Sequence, residues 1–249
     1  MLTAERRRII LGRLERDGKV VASDLVETLG VSEDTVRRDL RDLAARGLVQ
    51  RVHGGALPAA PAEAAASFAE RLERGAQRRA ALAEATLPLL EGAGVIILDG
   101  GTSALEVARR LTHAQRCTVL TNAPPVAAAL ANHPRAEVVL LGGKLLKAAQ
   151  VTVGAATVDA LRHVRADVAV LGVCSVHPDV GVTATEQEEA EVDRAMVAAA
   201  AEVVALATAD KLGTASPWVV AELADVTHLV TDGEDTEPYA AAGLTVVRA

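Results

Sequence analysis

The stretch VASDLVETLGVSEDTVRRDLRDLAARGLV, residues 21–49, contains two helical patterns separated by a single glycine. Ser23 is placed to cap the first helix, and Gly30 permits a tight turn because glycine adopts positive φ at little cost. Ser32 is the predicted N-cap of the second helix, which has apolar residues at i, i+4 and i+7 and therefore one buried face. These apolar residues are Val36, Leu40 and Leu43. The stretch predicts a helix-turn-helix.

The face of the second helix opposite this apolar stripe carries polar and basic side chains. Arginine can bind guanine through two hydrogen bonds, while serine and threonine contact bases or phosphates. Gly47 ends the helix, and the following LVQRVHGGA predicts a two-stranded wing. The candidate DNA-contacting residues are Ser32, Thr35, Arg37, Arg38, Arg41, Arg51 and His53. A surface helix with solvated arginines is the alternative, but the cap, turn and stripe in register favour DNA binding.

Charge is distributed unevenly along the chain. Residues 1–57 carry 11 Arg and Lys against 9 Asp and Glu, whereas the remainder carries 15 against 24. Residues 1–57, called the head, are therefore mildly basic, and the remainder, called the body, is acidic. This distribution favours binding of a polyanion to the head only.

The rest of the chain alternates between strand and helix patterns. Predicted strands cover 95–99, 118–122, 137–143, 166–173, 203–208, 228–232 and 244–247, and predicted helices include 102–111, 155–163 and 186–201. Continuous Val, Ile and Leu strands spaced by helices are typical of a doubly wound, mostly parallel sheet. We therefore predict an α/β protein with a winged helix-turn-helix (1–57), a linker and leading helix (58–76) and a Rossmann-like α/β domain (77–249).

Several other classes of protein are disfavoured by the sequence. Cys117 and Cys174 form neither a disulfide framework nor a metal set, and both are expected to be buried thiols. The N-terminal sequence lacks the apolar stretch of a secretory signal, and no apolar run approaches the roughly 20 residues of a membrane span. We expect a cytoplasmic protein without a cofactor or metal.

A candidate ligand site follows the strand at 95–99, where Gly100-Gly101-Thr102-Ser103 leads into a helix. Backbone N–H groups and two hydroxyls at a helix N-terminus suit an anion. Asp99 would repel a phosphate at close range, so it is assigned to a sugar hydroxyl or to fixing the loop. Other polar residues follow neighbouring strands, and the full set of effector candidates is Asp99, Gly100, Gly101, Thr102, Ser103, Thr121, Asn122 and Lys211. Singly, each residue is more typical of a turn, a cap or a solvated surface.

The strand ends at 142–144 and 179–181 offer Lys144 and Asp179 to the same predicted edge of the sheet. Together these groups suit a polyhydroxylated phosphate, with the Lys211 ammonium as the counter-charge of the phosphate.

Residues 1–57 resemble the DeoR family of bacterial regulators in ERRRIILGRLERDG, VSEDTVRRDL and RVHGGA. The resemblance continues through DGGTS, LTN, LGG, GVTA at 181–184 and EAEV at 189–192. It implies a winged helix-turn-helix, usually a repressor acting as an oligomer on paired half-sites. It also implies a sensor half similar to the sugar-phosphate isomerase fold, with an effector pocket lined by Asp99, Gly101, Thr102, Ser103, Thr121, Asn122 and Lys211. Glu189 is a further candidate, although the acidic stretch EQEEAE favours a solvated face for it.

This sequence departs from that family at three positions. The family usually has a basic residue where Asp193 stands, an Asp where Thr208 stands and a Ser where Asp210 stands. These departures leave the identity of the effector open.

The sequence therefore predicts a repressor of a carbohydrate-metabolism operon that a phosphorylated sugar releases from double-stranded operator DNA. One alternative is a sugar-phosphate isomerase-like enzyme with a DNA-binding head, although only Asp99 and Glu189 are acids placed near the crevice to act as a base. A second alternative is an architectural DNA-binding protein without a ligand. The opposite polarity, with ligand promoting DNA binding, also stays open.

Overall fold

The computed structural model describes residues 2–61, 64 and 66–249. The first elements in chain order are α1 (Thr3–Asp17), β1 (Val20–Val21), α2 (Ala22–Leu29), α3 (Glu33–Ala45), β2 (Val49–Val52) and β3 (Gly55–Pro58). β2 and β3 form an antiparallel hairpin, and β1 pairs with the other side of β3. The predicted wing is present, and the short strand β1 extends it to three strands.

The turn between α2 and α3 has the predicted form. Gly30 is left-handed with φ 62, and the Ser32 hydroxyl accepts a hydrogen bond from the Thr35 N–H. The apolar stripe of α3 is buried, since Val36, Leu40 and Leu43 are at most 3% exposed.

The predicted cap at Ser23 is wrong. α2 begins two residues earlier than a cap at Ser23 implies, at Ala22, and no side chain caps it. The Ala22 N–H instead donates to the Gly54 carbonyl in the wing turn, at 2.7 Å. A neighbouring strand pair therefore supplies the acceptor that a cap would have offered.

A buried carboxylate ties α1 to α3. Asp39 is 2% exposed, and its oxygens accept hydrogen bonds from the guanidinium groups of Arg6 at 2.7 Å and Arg7 at 3.2 Å. A buried carboxylate needs such partners because desolvation of the charge is otherwise costly.

The remaining elements build the α/β part of the chain. They are α4 (Phe68–Glu73), α5 (Ala76–Thr86), β4 (Val95–Leu98), α6 (Gly101–Arg110), β5 (Cys117–Thr121), α7 (Pro124–Leu130), β6 (Ala136–Leu140), β7 (Lys144–Leu146), β8 (Val151–Val153), α8 (Ala155–Arg162), β9 (Ala166–Gly172), β10 (Ser175–His177), β11 (Gly181–Ala184), α9 (Gln187–Ala199), β12 (Ala200–Ala207), β13 (Trp218–Ala221), β14 (His228–Thr231), α10 (Glu237–Ala241) and β15 (Thr245–Arg248).

The seven predicted strands form one sheet. Their order is β15-β14-β12-β9-β4-β5-β6, and every neighbouring pair is parallel. The predicted fold class is confirmed. The strand predicted over 137–143 ends sooner, at Leu140, where the chain leaves the sheet.

Two small antiparallel sheets were not predicted. β7 pairs with β8, and β11 lies between β10 and β13. These strands have three or four residues each, which is too short for a periodic pattern to distinguish them from loops.

The direction of winding reverses between β4 and β9. From β4 the chain adds β5 and β6 on one side, and it then returns to place β9 on the other side of β4. In such sheets the crevice outside the carboxyl ends of the two strands is where ligands bind. Asp99 and Gly172 stand at these two strand ends.

The buried apolar side chains form two clusters. One lies within residues 10–56 and the other within residues 68–244. Among the described residues, no helix combines the length and apolarity needed to cross a membrane.

Candidate functional site

The side chains predicted to contact DNA lie at the surface of the N-terminal part. Arg37, Arg38 and Arg41 are exposed on α3, and the Arg37 guanidinium pairs with Glu33 one turn earlier, at 2.6 Å. Ser32, Arg51 and His53 are also exposed, and Thr35 is partly buried. Helix α3 therefore presents basic side chains opposite its buried stripe, and their contact with DNA stays a prediction.

The turn from β4 into α6 is packed tightly against neighbouring strands. A Cβ on Gly100 would lie 2.1 Å from the Val151 Cγ1, so only glycine fits there. Gly101 has φ +85, a conformation that side chains other than glycine rarely adopt. The Gly172 N–H donates to the Asp99 carboxylate at 3.1 Å, which joins the ends of β4 and β9.

A cleft with about 660 Å³ of empty space, part of it open to solvent, lies at the N-terminus of α6 and is called the outer chamber here. The predicted candidates Gly101, Thr102, Ser103 and Lys211 line it. Further lining residues, which were not predicted from the sequence, include Arg71, Arg74, Arg78, Arg79, Gly172, Cys174 and Thr208. The chamber thus combines a helix N-terminus, hydroxyls, guanidinium groups and an ammonium group, all of which attract an anion.

The arginines come from α4, α5 and the residues between them. The one feature of the sequence that could have indicated them is their clustering, since four arginines fall within residues 71–79. The Arg79 side chain is 7% exposed and donates to the carbonyls of Leu72, at 3.0 Å, and Arg74. Its position is therefore fixed by the backbone of the preceding turn.

Arg78 and Lys211 are held by other parts of the body. The Arg78 guanidinium pairs with Asp232 and, at 3.0 Å, with Asp210, and the hydrogen bond to Asp232 is the main cause that raises the pKa of Arg78. The Lys211 ammonium donates to the Val173 carbonyl at 2.7 Å. The departure at Asp210 thus has a structural role, because its carboxylate helps to position an arginine of the outer chamber.

A second cleft with about 400 Å³ of empty space, part of it open to solvent, adjoins the outer one and is called the inner chamber. The two share Arg71, Gly101, Gly172 and Cys174 in their walls. The inner chamber is also lined by Asp99, Gly100, Asn122, Ala149, Val151, Glu189 and Asp193. Cys174 was expected to be a buried thiol, but it is only partly buried.

The inner chamber is rich in carboxyl groups. Glu189 and Asp193 lie four residues apart on α9, so they share one face of that helix. Burial raises the pKa of Asp99 to about 7. Burial and the nearby Asp99 carboxylate raise the pKa of Asp193, and burial also raises that of Glu189. No group of three or more His, Cys, Asp or Glu side chains suited to a metal ion occurs in the described part of the chain.

Three other residues predicted to line the site, Thr121, Lys144 and Asp179, bond to groups elsewhere in the protein. Thr121 is fully buried, and its hydroxyl accepts from the Ala123 N–H in the turn after β5. The Lys144 ammonium pairs with Glu188 at 2.8 Å. Asp179 was expected at the edge with the ligand crevice, but it lies in the β10–β11 turn and pairs with Lys19 of the N-terminal part at 2.8 Å.

Comparison with known proteins gives consistent similarities over the whole chain. A family model described as the DeoR-like helix-turn-helix domain matches residues 6–60, and one described as the DeoR C terminal sensor domain matches residues 74–233. The HTH-type transcriptional regulator GlpR of Haloferax volcanii is 34% identical over 252 aligned residues, covering 99% of this chain and 98% of that protein.

The HTH-type transcriptional repressor GlcR of Bacillus subtilis is 32% identical, covering 93% of this chain and 89% of that repressor. Among solved structures, ribose 5-phosphate isomerase A from Methanocaldococcus jannaschii aligns with a TM-score of 0.40 and 16% identity. That alignment covers 54% of this chain and 53% of the isomerase.

Proposed function

Because the chain belongs to the DeoR family of HTH-type transcriptional regulators, we propose that it represses a carbohydrate-metabolism operon and that a phosphorylated sugar releases it from the operator. The observation that carries this proposal is the outer chamber, where five cationic side chains surround the N-terminus of α6. A phosphate group fits such a site because helix N–H groups and guanidinium groups both bind phosphate oxygens.

The phosphate is assigned to Thr102 and Ser103 at the first turn of α6, with Lys211 and the arginines as its counter-charges. The sugar then extends towards the inner chamber, where Asp99 and Asn122 accept hydrogen bonds from hydroxyls. Gly100 and Gly101 let the backbone approach the ligand. Thr121 does not contact the ligand in this arrangement but stabilises the turn after β5 that holds Asn122.

A short series of contacts supports coupling between this site and the DNA-binding head. The Thr214 hydroxyl donates to the Lys211 carbonyl at 2.8 Å, one residue before Ala215. The Ala215 N–H donates to Pro58, the last residue of wing strand β3, and the Ala215 carbonyl accepts from Ala60. A ligand that moves Lys211 would therefore act on the segment that joins the body to the wing.

The coupling can act only if the ligand binds the DNA-bound and the released states with different affinity. We propose that residues 1–57 bind DNA, that 58–76 connect the two functions and that 77–249 sense the sugar phosphate. Homo-oligomers would hold two heads at the spacing of paired half-sites, and a change in body packing would break that match.

An electrophoretic mobility shift assay with the chain's own promoter region tests the proposal. We expect a specific complex without ligand and its loss when one member of a pentose and hexose phosphate panel is added. Equal binding to random duplex, or a complex that no phosphorylated sugar changes, contradicts the proposal. Tighter DNA binding with ligand would reverse the assigned polarity.

A sugar-phosphate isomerase activity is the second candidate, because Asp99, with its pKa near 7, lies in the cavity where a general base would be needed. Incubation with pentose and hexose phosphates, followed by chromatographic analysis of isomers, tests this candidate. We expect no turnover above the rate without protein. Catalytic turnover that disappears in Asp99→Asn would favour the enzyme.

A further inference from the structure

The two adjoining chambers have opposite electrostatic character. Cationic side chains line the outer chamber, whereas the inner chamber contains the carboxyl groups of Asp99, Glu189 and Asp193 beside one guanidinium, that of Arg71. These three carboxyl groups outnumber the one guanidinium in the chamber wall. A ligand that spans both chambers therefore meets cations at one end and anions at the other.

An unpaired acceptor lies in the wall of the inner chamber. Asn122 is 2% exposed, and its amide nitrogen donates to the Thr152 carbonyl at 3.0 Å. This bond fixes the orientation of the amide, and the Asn122 Oδ1 has no hydrogen-bond partner within the described part of the chain. A buried acceptor without a donor is unfavourable, so the site is completed when a ligand supplies the donor.

We propose that the inner chamber binds the unphosphorylated end of the effector through its hydroxyl groups and excludes a second phosphate, so that the effector is a sugar monophosphate. This inference rests on the proposed function of the outer chamber as a phosphate site. Hydroxyls can donate to Asn122, Glu189 and Asp193, whereas a phosphate offers mainly acceptors and negative charge. Recognition then combines attraction of one ligand with repulsion of another.

The sharpest test compares monophosphates with the bisphosphates of the same sugars. Isothermal titration calorimetry of the full chain at pH 8 would use fructose 1-phosphate, fructose 6-phosphate and fructose 1,6-bisphosphate. Glucose 1-phosphate, glucose 6-phosphate and glucose 1,6-bisphosphate form the second set. We expect at least one monophosphate to bind and its bisphosphate to bind at least about 100-fold more weakly, because like charges in a desolvated site repel strongly.

Variants of α9 separate charge from shape. Asp193→Asn keeps the shape of the side chain and removes its charge, so it should lower the ratio of monophosphate to bisphosphate affinity. Asp193→Lys should lower this ratio further. Glu191→Gln is the matched control, because Glu191 is an exposed acid on the same helix that accepts from Gln187. The control should leave the ratio unchanged. Thermal melting checks that each variant is folded.

Deoxy analogues of the bound monophosphate test the role of hydroxyls. Loss of a hydroxyl that donates to a buried acceptor should weaken binding by about 10-fold or more. A bisphosphate that binds as tightly as the monophosphate overturns the inference, and so does a set of deoxy analogues that all bind equally well. If no member of the pentose and hexose phosphate panel binds, the proposed function itself fails, which is a distinguishable result.

Discussion

The helix-turn-helix and the ligand cavity are built in different ways. The turn, the cap and the buried stripe of the helix-turn-helix all come from 29 consecutive residues. The cavity instead draws on the ends of β4, β5 and β9, on α4, α5 and α9 and on the turn at Lys211. The first depends on local interactions, whereas the second exists only once distant segments have packed together. The two regions should therefore respond separately to mutation.

Asp39→Ala should give the largest loss of stability, and this loss should be confined to the head. Removing this carboxylate takes away the buried acceptor that the guanidinium groups of Arg6 and Arg7 share, at a cost of about 3 kcal/mol in free energy of unfolding. Far-UV circular dichroism should show that the helices of the head unfold at a lower denaturant concentration than in the wild type. The fluorescence of Trp218, in β13 of the body, should keep its midpoint.

Asp42→Ala is the matched control, because the Asp42 side chain is 46% exposed and also pairs with Arg7. It should cost less than about 1 kcal/mol. If Asp39→Ala shifts both transitions equally, head and body unfold as one unit.

Lys211→Ala should separate ligand sensing from DNA binding. Loss of one charge-assisted hydrogen bond, of about 1.5–3 kcal/mol, should weaken effector binding roughly 10- to 100-fold. Operator affinity without ligand should be unchanged in a mobility shift assay. Lys147→Ala removes an exposed lysine between β7 and β8 and should behave as wild type. Release of DNA at the wild-type effector concentration would remove Lys211 from the site.

Arg38→Ala should weaken DNA binding and leave effector binding unchanged, the opposite of Lys211→Ala. If the guanidinium binds a base, operator affinity should fall by about 1–3 kcal/mol while effector binding, measured by calorimetry, is retained. Arg165→Ala, at an exposed position before β9, is the control for net charge. Equal losses in both variants would mean that only the overall charge matters.

Ser32→Ala and Ser23→Ala form the smallest and most direct comparison. Ser32 caps α3, so its loss should cost about 1 kcal/mol in free energy of unfolding. Ser23 does not cap α2, and its hydroxyl bonds to the exposed Asp24 beside it. Its replacement should therefore change stability by less than about 0.5 kcal/mol. Urea unfolding of both variants measures the difference, and equal costs would contradict the assigned cap.

The parallel sheet was as predictable as the helix-turn-helix. All seven strands were found because each contains a run of aliphatic residues, as strands of parallel sheets do, although the edge strands β6 and β15 are partly exposed. The three-residue strands around His177 and Val151 were missed, since their conformation depends on partners elsewhere in the chain.

The sequence by itself determined the periodic elements, the Gly30 turn, the Ser32 cap and the glycine-rich approach to α6, because these follow from local backbone preferences and apolar spacing. Only the tertiary structure decided that Arg71 and Lys211 meet across one cavity and that Asp193 faces Asp99 in the next. The winding reversal between β4 and β9 brings these segments together. Such contacts join residues more than 90 positions apart, and no local pattern in the chain encodes which of them will touch.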